Sequence, residues 1–97
     1  MAGVKLSLPI YGENDEILKT YETTHIRWRM FTEAARLNEE LQSMSDAEQL
    51  EVVGDFIKSL FVGLTDEELG IADAEDIFNT FKMVVKMAGK LNTRKNA

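Results

Sequence analysis

The side chains with most chemical potential in this chain are carboxylates. Asp66-Glu67-Glu68 and Asp73-Ala74-Glu75-Asp76 gather six acids in a short stretch, a density that raises the question of a calcium loop. Such a loop needs oxygen ligands at alternating positions, a glycine sixth and a glutamate twelfth. Counted from Asp66, the glycine falls fifth; counted from Asp73, the sixth residue is Phe78. Acids at these positions have a simpler cause, since the first turns of helices favour negative charge. Paired carboxylates also serve general acid–base catalysis, but no pair is singled out by spacing. The chain has no cysteine and one histidine, His25, which removes thiolate ligands, thiol catalysis and multi-histidine metal sites within one chain. Gly54, Gly63, Gly70 and Gly89 are isolated and form no phosphate-cradling loop. The expectation is a protein with no catalytic residues, no metal and no cofactor: not an enzyme.

With 97 residues, 44% of them hydrophobic and 29% charged, the chain has the composition of one folded domain. No stretch approaches the length of a membrane span, and the start, Met1-Ala2-Gly3-Val4-Lys5, lacks an apolar signal region. The reading is of an acidic, intracellular domain without membrane contact. The net charge of −6 is unevenly placed. Residues 31–76 carry thirteen acids against Arg36 and Lys58, whereas residues 77–97 carry Lys82, Lys86, Lys90, Arg94 and Lys95 with no acid. The acidic middle repels a phosphate backbone, so general nucleic-acid binding is not expected. The cations at the chain end suit the C-terminal end of a helix dipole.

Elements follow from the apolar periodicity. Val4, Leu6, Leu8 and Ile10 alternate with Lys5, Ser7, Pro9 and Tyr11, the period of a half-buried strand. After the turn cluster Gly12-Glu13-Asn14-Asp15, residues 16–23 supply a second strand. Residues 4–11 and 16–23 therefore read as an antiparallel hairpin. From Ile26 the period changes: Ile26, Met30, Ala34, Leu37, Leu41 and Met44 share one helical stripe over about 26–43, with Thr23 or Thr24 as the expected cap. Ser45-Asp46-Ala47-Glu48 is a capping box opening a helix over about 46–61, with Leu50, Val53, Ile57, Leu60 and Phe61 facing in and Gly63 ending it. Thr65-Asp66-Glu67-Glu68 opens a short one, about 66–69. Asp73 caps the last, about 74–91, with Ile77, Phe81, Val84, Ala88 and Leu91 in register. Residues 92–97 read as a frayed polar tail. The fold class is α+β, a single domain over residues 3–91 in which an N-terminal hairpin packs on three main helices and one short helical turn.

Two helices carry more apolar surface than a small domain needs. On the last, Phe78 and Val85 flank one edge of the core stripe and Met83 and Met87 the other, widening the apolar arc to about 220° where about 100° suffices. On the first, Trp28, Phe31 and Ala35 form a second stripe rotated roughly 130° from the core one. The hairpin is expected to cover one of these surpluses. The other is expected to bind protein, which makes Trp28, Phe31, Phe78, Met83 and Met87 the candidate protein-binding residues, with the methionines lending adaptability.

The chain as a whole resembles the tail assembly chaperones of long-tailed phages and prophages of Gram-positive bacteria. The residues that carry the likeness are Lys5-Leu6-Ser7-Leu8-Pro9-Ile10-Tyr11, Lys19-Thr20-Tyr21-Glu22-Thr23 and Ile26-Arg27. In the second half they are Asp55-Phe56-Ile57-Lys58-Ser59-Leu60-Phe61, Leu64-Thr65-Asp66-Glu67-Glu68-Leu69 and Asp76-Ile77-Phe78-Asn79-Thr80-Phe81-Lys82. The resemblance spans residues 4–91 and includes no catalytic signature. It implies a non-enzymatic factor that binds the tape measure protein, keeps it soluble and helps recruit tail tube protein. It also implies residence in the cytoplasm of the infected or lysogenic bacterial host and absence from the finished virion. Surplus stripes and unpaired hairpin edges make a homo-oligomer possible. The alternative is a small acidic adaptor or regulatory protein-binding domain unrelated to tails; a third class is an acidic nucleic-acid mimic, which predicts salt-sensitive binding to a basic protein.

Overall fold

The computed structural model describes residues 6–96, with side chains for residues 6–90. Strands β1 (Leu6–Tyr11) and β2 (Ile17–Thr23) form a two-stranded antiparallel sheet in which Leu6 faces Thr23, Leu8 faces Tyr21 and Ile10 faces Lys19. The register then shifts so that Tyr11 faces Ile17, and Leu18 is left as the unopposed residue of a bulge. In the turn, the Gly12 N–H donates to the Glu16 carbonyl at 2.8 Å and the Asp15 N–H to the Gly12 carbonyl at 3.1 Å. Asp15 takes a left-handed φ of 62°, a conformation that aspartate tolerates better than most side chains. Val4 and Lys5, expected in the first strand, lie outside the described residues.

Helix α1 (Trp28–Glu40) starts two residues later than its periodicity predicts. Its cap position is Arg27, in extended conformation and without a side-chain cap. The expected caps are unavailable: β2 runs through Thr23, whose hydroxyl turns to the His25 carbonyl at 3.5 Å, and the chain spends residues 24–27 turning from strand to helix. Ile26 and Phe31 occupy the positions of a hydrophobic staple around this uncapped start, and both pack against the core. The predicted helical run to residue 43 is completed by a single 3-10 turn, Leu41–Ser43.

Both capping boxes form as expected. At the start of α2 (Asp46–Leu60), the Glu48 N–H donates to Ser45 Oγ at 3.3 Å, and the Ser45 N–H donates to Glu48 Oε1 at 3.2 Å. At the start of α3 (Asp66–Ile71), Thr65 and Glu68 repeat the arrangement at 3.1 Å in both directions. Between these helices Gly63 adopts φ +93°, a backbone turn that a side chain would resist. Asp73 accepts the Asp76 N–H at 3.1 Å and opens α4 (Ala74–Asn96). That helix passes the expected end at Leu91; the side chains on which the frayed-tail expectation rests lie outside the described residues.

The core joins Leu6, Leu8 and Ile10 of β1 to the buried faces of α1, α2 and α4, and α4 packs against all three. Phe56 and Phe81 meet edge to face, their centroids 5.5 Å apart. One inward assignment is corrected. Leu50 is 59% exposed: it shares the inward direction of Val53, Gly54 and Ile57, but the buried face of α2 begins only at Val53 and Leu50 lies nearly one turn before it. The corner beside the start of α2 is closed by a polar group, Gln49 Nε2, which donates to the carbonyls of Leu41 at 2.8 Å and Met44 at 3.2 Å.

Candidate functional site

The five residues proposed from sequence divide into two groups. Phe31, Phe78 and Met87 are partly buried and pack against the common core. Trp28 and Met83 stay outside it, at 65% and 43% exposure. The reason lies in the position of α4. A helix with β1, α1 and α2 as neighbours needs a wide apolar arc, so Phe78, Val85 and Met87 are taken up as edges of the core. The expected second stripe of α1 is dispersed in the same way: Phe31 turns in, while Trp28 and Ala35 face out. A surface role therefore rests on Trp28 and Met83 and not on all five.

Other apolar groups reach the surface where the periodicity did not point. Ile17, Leu18, Ile71 and Val62 are more than half exposed. The signal for the first two was available, since neighbours in a strand point to opposite faces and Ile17-Leu18 cannot both turn in. The bulge goes further and leaves both outside.

Two concavities lie among the described residues, and the second borders this apolar surface. A cleft of about 450 Å³ lies between α1 and α2, floored by Met30, Leu37, Met44, Val52 and Phe56. Its mouth is polar: Arg36 donates to Glu33 and Glu40, both at 2.9 Å. A wider groove of about 920 Å³ lies between the hairpin turn and the corner joining α3 to α4, with Leu18 and Ile71 in its wall.

A polar joint fixes the hairpin to α3. The Tyr21 hydroxyl donates to Glu68 Oε1 and lies 3.2 Å from the Gly63 carbonyl. Lys19 Nζ donates to Glu68 Oε2 at 3.3 Å and sits 4.8 Å from the centre of the Tyr21 ring. Glu68 thus serves both the capping box and the hairpin. The Tyr21 hydroxyl, followed by the Thr65 N–H, favours its charged form and lowers its pKa to about 2. Lys58 reaches forward to Asp66 across the same corner, and that hydrogen bond raises the pKa of its ammonium. Asp76 behaves oppositely: partial burial, then the charges of Asp73 and Glu75, raise its pKa. His25 is exposed at the strand–helix junction. Among the described residues no group of three histidine or acidic side chains is arranged to hold a metal ion, and no helix is long and apolar enough to cross a membrane.

Comparison with protein families, curated proteins and solved structures gives no match to this chain.

Proposed function

We propose that the chain is a non-enzymatic tail assembly chaperone that binds the tape measure protein, keeps it soluble and helps recruit tail tube protein around it. In this reading it works in the cytoplasm of the bacterial host and leaves before the virion is finished. The resemblance described above is its starting point. The observation that carries it into three dimensions is the polar joint. Lys19 and Tyr21, Lys58, and Thr65 with Asp66 and Glu68 come from three separate resembling segments, and they meet at one corner through hydrogen bonds. Segments that resemble a family because they build its fold are expected to converge in this way.

The chemistry suits the task. A long helical partner with uncovered apolar faces needs a reversible cover. Trp28 and Met83 offer apolar area outside the core, and exposed carboxylates on α2 and α3 keep a complex in solution. Weak contacts repeated along a long partner bind by avidity and release easily.

The test is co-expression with the longest helical protein encoded immediately downstream, followed by size-exclusion chromatography with light scattering. A co-eluting complex, with the partner insoluble on its own, supports the chaperone reading. A partner equally soluble alone, with no co-elution, favours the acidic adaptor. Met83→Glu is the informative variant, because Met83 lies outside the core: the fold is retained and partner capture falls. The same change at Met87 strikes the core and does not separate binding from folding.

A further inference from the structure

The groove between the hairpin turn and the α3–α4 corner combines three features. Its apolar part is Leu18 and Ile71, at 60% and 55% exposure, with Tyr11 half-buried beside them. Leu18 is displayed by backbone geometry: it is the bulge residue, unopposed in the register, and bulges redirect side chains at sheet edges. The groove's charged lining residues are Glu13, Asp15, Glu16 and Asp73, with no lysine or arginine among its described lining residues.

Two of the four rim carboxylates are held: Asp73 accepts the Asp76 N–H at the start of α4, and Glu16 is anchored within the turn. The Glu16 carboxylate folds back over Gly12, where a built Cβ would lie 1.8 Å from Glu16 Oε1, and it accepts the Asn14 N–H at 3.4 Å. The nearest cation along β2, Lys19, is directed to Glu68 instead. Apolar anchors without a cover, carboxylates around them and a neighbouring cation engaged elsewhere define the complement by charge.

We propose that this groove docks a cationic segment of a partner protein, one that seats an apolar side chain against Leu18 and Ile71 and turns lysine or arginine toward Glu13, Asp15, Glu16 and Asp73. The anchors supply affinity, and the rim supplies steering and orientation. This inference does not depend on the tail assembly reading; an adaptor would use the same groove.

The test is an NMR titration of the full chain with an amphipathic leucine–lysine peptide, its leucine–glutamate counterpart serving as control. The lysine peptide is expected to shift resonances of residues 11–18 and 71–74. Its affinity is expected to fall about tenfold between low and high salt, because exposed charges are screened. The double variant Leu18→Ser, Ile71→Ser, folded by circular dichroism, is expected to bind about tenfold more weakly. Asp15→Asn, which keeps the left-handed turn, is expected to reduce the salt dependence. Shifts centred on α2 or on the α1–α2 cleft, equal binding of the glutamate peptide, or affinity unchanged in the double variant would each overturn the proposal. So would light scattering that shows the chain alone self-associating through these residues, for then the groove is filled by a second copy.

Discussion

The two ends of β2 meet the rest of the molecule in different ways. Toward its C-terminal end, Tyr21 and Lys19 are tied to Glu68, and the Tyr21 hydroxyl also approaches the Gly63 carbonyl. Toward the turn, Ile17 and Leu18 are more than half exposed beside a rim of acids. Both ends pair with β1, the first in regular register and the second through the bulge at Leu18. Their neighbours differ as well. The first end has α3 within reach of its side chains, and polar groups found partners there. The second faces the α3–α4 corner across a groove and retains apolar groups without a cover. One short strand thus both fastens the hairpin and presents part of it.

If that division is right, damage to the fastened side must act on stability and damage to the presented side must not. The largest effect is expected from Leu8→Ala. Leu8 of β1 is fully buried, and losing a core leucine side chain costs about 3 kcal/mol, enough to be plain in a urea titration of so small a domain. Gly63→Ala comes next. At φ +93° the change costs about 1 kcal/mol in backbone strain. It also disturbs the carbonyl that Tyr21 approaches, so it loosens the hairpin and the helical corner together, and hydrogen exchange in β2 should rise.

The third prediction concerns acid. Glu68 has its pKa lowered from 4.5 to about 2 by the Tyr21 hydroxyl and the Thr65 N–H. A lowered folded-state pKa stabilises the fold above the unfolded value, and that contribution is lost as pH falls from about 4.5 through about 2. Asp76 has the opposite sign: its pKa is raised, mainly by burial, so stability from this residue is lost as pH rises through its folded value and regained on acidification. The expected curve rises slightly as pH drops toward the carboxylate range and then falls. Tyr21→Phe should shrink the lower limb, because the folded-state pKa of Glu68 moves back toward its unfolded value, and Asp76→Asn should flatten the upper one. Urea midpoints measured across pH, with carboxyl titration by NMR, check both.

The sequence made these assignments unequally visible. The hairpin, both capping boxes and the Asp73 cap depend on short-range spacing, and the structure places them as the spacing predicts. The candidate binding surface was less visible, because periodicity shows which face of a helix is apolar but not how many neighbours will cover it. Phe78 and Met87 looked surplus until α4 proved to have three neighbours. Phe31 looked surplus until Ile26 and the uncapped start of α1 gave it a staple position. Leu50 points along the inner stripe of α2 but precedes the first residue that is covered, Val53, and periodicity does not show where cover begins. The display of Leu18 depends on a bulge, a register property of two strands that neither strand reveals separately.

The smallest stability effect should come from the presented end, and its smallness is the point. Leu18→Ser with Ile71→Ser removes two aliphatic side chains that already lie more than half in water, and surface changes of this kind stay within about 0.5 kcal/mol. Leu8→Ala removes comparable apolar material from the same hairpin at several times that cost. A double variant as stable as the parent in urea would show that Leu18 and Ile71 contribute nothing to holding the hairpin down, leaving the groove free to bind. A loss comparable to that of Leu8→Ala would place both residues in the core's support and remove the distinction between the two ends of β2.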